Sequence, residues 1–119
     1  MEKGIVFPAG RGMPYCVDVP DDCDYRWMGD TIGVDWIEIV HPRRLPEGFV
    51  MVVDEMGLMK DNAVLNPVGS WFYETDKHGD PIVGNVLIMK EIPGDEGPEC
   101  SGMDGDDINR IFDLLRKEN

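Results

Sequence analysis

"VDWIEIVHPRRLPEGFVMVVD", residues 34–54, holds two short runs rich in valine, isoleucine and aromatic residues, with two prolines between them. VDWIEIV and GFVMVVD have the composition of β-strands. Pro42 and Pro46 lack the amide hydrogen that a ladder needs, so they forbid continuous pairing through the link. The two runs are therefore separate strands, and the rest of the chain is read from them outward.

Downstream, "DEMGLMKDN" (residues 54–62) reads as a turn. "PIVGNVLIMKEI" (81–92) reads as the last long strand, with Gly84 marking a bulge. Upstream, "KGIVF" (3–7) predicts a first strand, and "YCVDV" (15–19) returns antiparallel to it after the turn "PAGRGMP". "DDCDYRWMGDTI" (21–32) begins with aspartates suited to capping and sets Tyr25, Met28 and Ile32 at helical spacing, with Gly33 as a stop. Near the C-terminus, Ile108, Ile111, Phe112 and Leu115 form one apolar stripe, widened by Leu114. Asp104 stands at the N-cap of this helix, Asp106 and Asp107 favour its start, and Arg116 and Lys117 favour its end.

Short strands, tight turns and no regular strand–helix alternation predict an α+β fold. The expected architecture is one domain over residues 1–119, with a mainly antiparallel sheet of about five strands. Two helices are expected on one face of the sheet, one of them C-terminal. Its parts are an N-terminal stretch (1–33), a strand-rich core (34–92), a solvent-exposed acidic loop (93–103) and the final helix (104–117). Val34, Ile37, Ile39, Val50, Val52, Val83, Leu87, Ile108, Ile111 and Leu115 are the expected core.

The 119 residues carry a net charge of −13, and it is unevenly spread. Residues 18–30 hold Asp18, Asp21, Asp22, Asp24 and Asp30 against Arg26. Residues 94–107 hold Asp95, Glu96, Glu99, Asp104, Asp106 and Asp107 with no basic partner. Direct nucleic-acid binding is not expected of such a chain, because phosphate contacts need clustered lysine and arginine. An acidic surface either attracts a basic protein or keeps the domain soluble. The start, MEKGIVFPAGRG, lacks the apolar stretch of a signal peptide, and no run is long enough to span a bilayer. Cys16, Cys23 and Cys100 cannot all pair within one chain, so they read as reduced thiols of a cytoplasmic protein.

No catalytic or cofactor motif stands out. The acidic stretch lacks the alternating ligands, central glycine and closing glutamate of a calcium loop, so no metal is expected. His41 and His78 have no nucleophile signature beside them, and there is no CxxC, HExxH or phosphate loop. Neither an enzyme nor a bound cofactor is expected. What remains is a mixed region with Arg43, Arg44, Lys60, Asn62 and Asn66, followed by Trp71, Phe72 and Tyr73. Guanidinium groups, amides and flat rings are the means of holding a phosphate and stacking a base. Equally, Asn66-Pro67 is a turn opener and the aromatic triple suits a core.

The order "WIEIVHP", "VMVVDEMGLMKDNAVLNPVGSWFY", "DPIVGNVLI", then "DGDDINRIF" resembles a domain family of unknown function found in bacteriophages and integrative elements of Gram-positive bacteria. Val53, Asp54, Glu55, Gly57, Asn66, Ser70, Tyr73 and the run from Ile82 to Ile88 fill its pattern, over roughly residues 34–115. Residues 1–33 depart from it, with a shorter and more acidic helix. The resemblance implies a small α+β domain in mobile-element company and brings no catalytic residues.

Three functions compete. The first is a non-catalytic counter-defence protein that sequesters a small anionic, nucleotide-like ligand. Its site would be Arg43, Arg44, Lys60, Asn62, Asn66, Trp71 and Tyr73, in a pocket formed within a subunit or between copies of a homo-oligomer. The second is an acidic decoy, or DNA mimic, that masks a basic host protein surface. The third is a small enzyme. Neither of the first two involves a membrane.

Overall fold

Strands form where aliphatic and β-branched residues run together. In the computed structural model, which describes residues 2–117, they are β1 (Lys3–Phe7), β2 (Tyr15–Asp18), β3 (Ile37–Val40), β4 (Phe49–Asp54), β5 (Val86–Gly94) and β6 (Gly97–Ser101). Every strand pair is antiparallel. The order across the sheet is β2-β1-β5-β4-β3, and β6 also pairs with β5. Four helices complete the fold: α1 (Tyr25–Ile32), α2 (Pro67–Phe72), α3 (Thr75–His78) and α4 (Gly105–Lys117). The chain is thus α+β with a mainly antiparallel sheet and a C-terminal helix. Residues 1, 118 and 119 of the expected domain lie outside the described residues. Among the described residues, no helix is long and apolar enough to cross a membrane.

The helices do not share one face, as expected from sequence, but cover both. Val6, Val50, Val52, Leu87 and Met89 pack against Met28 and Ile32 of α1. Their neighbours Ile5, Phe7, Met51, Val53, Val86 and Ile88 point the other way, onto Phe72 of α2 and Ile111 of α4. The reason lies in β4 and β5. FVMVV and VLIM are apolar at every position, so both faces of the central strands must be taken from water.

Val50, Val52, Leu87 and Ile111 of the expected core are fully buried. Val34, Ile37, Ile39, Val83, Ile108 and Leu115 are only half-buried. Ile37 and Ile39 are so because β3 ends the sheet and is covered on one side alone. Of the three residues set at helical spacing in α1, Met28 and Ile32 are buried and Tyr25 is 70% exposed. Helix α1 is bounded as the sequence predicts: the Asp24 carboxylate accepts the Trp27 amide at 2.8 Å, and Gly33 closes it in the left-handed region at φ 77°.

Residues 93–103 are not the loop expected for them. Pro93 and Gly94 end β5 and Gly97–Ser101 is β6, in a hairpin with register from Lys90↔Ser101 to Gly94↔Gly97. Met103 and Lys3 then exchange both backbone hydrogen bonds, at 2.9 and 2.7 Å, and Met103 is fully buried. A Cβ on Gly102 would lie 2.5 Å from the Glu2 Cβ, which is why glycine occupies that crossing. Backbone pairing holds this strand, so its Glu, Pro and Gly composition hid it. The long strand β5 starts at Val86, with Gly84 at φ 79° in the turn before it.

Helix α4 is capped reciprocally. Asp104 Oδ1 accepts the Asp107 amide at 2.8 Å, and Asp107 Oδ2 accepts the Asp104 amide at 3.3 Å. That bond to the Asp107 amide holds the Asp104 carboxyl below its usual range. Ile111 is the fully buried residue of α4, so Ile111→Ala should lower the unfolding free energy by about 2–4 kcal/mol. A urea titration of both proteins checks it, and an unchanged midpoint would show that α4 does not depend on this contact.

Candidate functional site

The residues expected to bind a small anion are dispersed by the fold. Asn66 is 0% exposed. Its Nδ2 donates to the carbonyls of Phe7 and Gly84, each at 2.8 Å, and its Oδ1 accepts the Gly69 amide at 2.9 Å as the N-cap of α2. A sealed and occupied amide cannot orient a ligand, so its expected role is corrected to a structural one. Asn66-Pro67 is the N-cap and first-turn signature of a helix, and that signal was there to be read.

Arg44 is half-buried and tied into the same segment. Nη1 donates to the Trp71 carbonyl at 2.8 Å, Nη2 bonds Asp76 Oδ2 at 3.0 Å, and the guanidinium lies 5.1 Å from the Trp71 ring centroid. The Arg44 hydrogen bond holds the Asp76 carboxyl below its usual range. Arg43 is exposed beside it, and Asn62 is exposed in the turn after a short 3-10 helix, Gly57–Met59. Lys60 pairs with Asp54, whose side chain is only 4% exposed.

Tyr73 and Trp71 line different grooves. The Tyr73 ring meets His78 edge-on at 5.0 Å, and it lines a groove with Glu38, Asp54, Glu55 and Asp80. Those carboxylates repel an anion. The fold brings Arg44 to Trp71, then, but it places Tyr73 in acidic surroundings and Asn66 out of reach.

What the tertiary structure does gather is negative charge. The Val19 amide donates to the Glu2 carbonyl at 3.1 Å, and Ser101 Oγ donates to Glu2 Oε2 at 3.4 Å. Cys23 Sγ donates to the Cys100 carbonyl at 3.4 Å. These contacts seat the first acidic segment, with exposed Asp21, Asp22 and Asp24, against the hairpin that carries exposed Asp95, Glu96 and Glu99. Segments more than seventy residues apart in sequence become neighbours along the β2–β6 side of the sheet. Lys3 pairs with Asp18 there, and Lys90 with Asp107. The sequence showed both clusters but carried no sign that they adjoin.

The two thiols at this seam are chemically quiet. Burial pushes the Cys100 thiol up to about 11, helped by the neighbouring Cys23 and Glu91. Burial likewise raises Cys23, with Asp22, Asp24 and Asp21 adding to it. Thiolate is scarce at neutral pH in such surroundings, so neither sulfur is a ready nucleophile. Among the described residues, no three His, Cys, Asp or Glu side chains are grouped to hold a metal ion.

Residues 1–116 match the sequence profile of a family described as Domain of unknown function (DUF3846). The match takes in residues 1–33, the part that departs from the recognised pattern. No curated protein and no solved structure matches the chain.

Proposed function

The chain belongs to the DUF3846 family of domains of unknown function, and from that premise we propose that it is a non-catalytic acidic binding protein that covers a basic surface on a partner protein. One observation carries the reading: the two acidic segments adjoin along the β2–β6 side, tied by the Cys23–Cys100 and Glu2–Val19 contacts. Exposed carboxylates on adjoining segments steer a cationic surface toward them and compete with DNA phosphates for it. A DNA-binding protein is the kind of partner this suits. In the mobile-element setting that the resemblance points to, masking such a protein in the cytoplasm would serve counter-defence. Sequestration of a nucleotide-like ligand has less support, because Asn66 is sealed and Arg44 and Lys60 each answer a carboxylate.

The test neutralises the band without changing its shape, in a variant with Asp21→Asn, Asp22→Asn, Glu96→Gln and Glu99→Gln. Proteins retained from a bacterial lysate by the wild type are purified, and each is assayed for release of bound duplex DNA. Wild type should displace the DNA, with an effect that falls as salt rises. The variant should need about tenfold more protein, since exposed charges contribute a few tenths of a kcal/mol each. Equal displacement by both proteins, at every salt concentration, would remove the band from the mechanism.

A further inference from the structure

Strand β3 closes the sheet on the side away from β1 and β6, and among the described residues no strand pairs with its outer edge. The Glu55 amide donates to the Trp36 carbonyl at 3.0 Å, which makes residues 36 and 55 a hydrogen-bonded pair. Antiparallel ladders alternate, and the register continues Ile37↔Asp54, Glu38↔Val53, Ile39↔Val52. The amides and carbonyls of Ile37 and Ile39 therefore point outward, ready to pair with another strand. Natural edges are usually blunted by proline, bulges or covering loops.

This edge instead has a groove on each face. On the α1 side a groove of about 720 Å³ is lined by Tyr25, Trp36, Ile37 and Ile39, together with Arg26 and Asp35. Tyr25 and Trp36 are 70% and 67% exposed, a large apolar surface for two aromatic rings to leave in water. On the opposite face a groove of about 310 Å³ is lined by Glu38, Glu55 and Asp80, with Asp54, Val40 and Leu58. Lys60 answers Asp54, and His78 lies 3.8 Å from Asp80, so the groove remains acidic.

A strand added to β3 would send alternate side chains to these two faces. One set would meet aromatic rings and the other would meet carboxylates. We infer that the β3 edge docks an extended segment of a partner protein in which apolar residues alternate with Lys or Arg, bound by strand addition. Main-chain hydrogen bonds to Ile37 and Ile39 hold the segment, and the two grooves select its alternation. A second copy of the chain is the wrong occupant. Pairing β3 with itself would bring two acidic grooves together between chains that each carry −13. This surface lies at the far side of the sheet from the acidic band, so the inference does not depend on that band's role.

The test uses a short synthetic peptide of alternating Lys and Val, with a block isomer of the same composition as control. Hydrogen exchange of the Ile37 and Ile39 amides should slow about tenfold or more with the alternating peptide, and the block isomer should leave it unchanged. Tyr25→Ala with Trp36→Ala should weaken binding about tenfold, as should Glu38→Lys with Glu55→Lys. All four side chains lie at the surface of these grooves, so the melting temperature should hold. Ile39→Pro provides an independent check: it removes an outward amide that β4 does not use, and it should abolish the protection of the remaining Ile37 amide. The neutralised-band variant should bind the peptide as the wild type does. Equal binding of the block isomer would reduce the effect to plain charge attraction and overturn the inference. So would protection centred on β2 or β6, or a dimer in which Ile37 and Ile39 are already protected without peptide.

Discussion

Asn66→Ala should lower the unfolding free energy by about 3–5 kcal/mol and leave whatever the surface binds unaffected. The amide joins three parts of the chain at once, since it bonds the end of β1 at Phe7, the turn before β5 at Gly84 and the first turn of α2 at Gly69. Loss of the N-cap alone removes about 1 kcal/mol. The Phe7 carbonyl loses its partner in a buried site and the Gly84 carbonyl in a partly buried one, and a group left unpaired by burial costs about 1–3 kcal/mol. A domain of this size is stabilised by roughly 5–15 kcal/mol in total, so the loss should show as a large drop in the urea midpoint. Asn66→Asp provides the second arm: it keeps the N-cap acceptor but turns a carboxylate oxygen toward two carbonyls, and it should also destabilise. An Asn66→Ala protein with the wild-type midpoint would mean that the amide is not the tie described, and the ligand-orienting role would return.

Phe72→Ala should cost about 3–5 kcal/mol, the range for an aromatic side chain truncated in a closed core. Helix α2 spans only Pro67–Phe72, too short to persist without tertiary contacts. Val68 and Trp71 pack against the main cluster from its rim, and Phe72 enters it, 0% exposed, in the cluster of Phe7, Phe49, Met51 and Ile111. Removing the ring should also loosen the Arg44–Trp71 contact, because Trp71 stacks edge-on against Phe72 at 5.1 Å. The measurement is a denaturation curve paired with near-ultraviolet circular dichroism for the aromatic environment. Wild-type stability with an unchanged aromatic spectrum would place α2 outside the cooperative core.

Much of the fold was legible because its signals are local. Val, Ile and Phe at consecutive positions marked β1, β4 and β5, and the 3.6-residue stripe of Ile108, Ile111 and Leu115 marked α4. Asp24, Gly33 and Asp104 announced helix ends through short-range hydrogen bonding and backbone freedom. Helix α2 was legible in principle from Asn66-Pro67 but was masked by the aromatic triple beside it. Strand β6 was not legible, because GPECS has neither alternation nor β-propensity and depends on the backbone of β5.

The sequence by itself determined the class, the acidic character and the positions of the strands with strong propensity, since those follow from composition and from spacing within a few residues. Only the tertiary structure decided what each candidate residue does. It sealed Asn66 in the core, set Arg44 against Trp71 and Asp76, and turned Tyr73 toward carboxylates. It also laid residues 18–24 against the β5–β6 hairpin and left β3 as an open edge between two unlike grooves. The physical reason is that burial, hydrogen-bond satisfaction and local charge depend on contacts between distant parts of the chain, 18 residues apart for Asn66 and Gly84 and 77 for Cys23 and Cys100. No pattern within a short window of sequence carries those contacts.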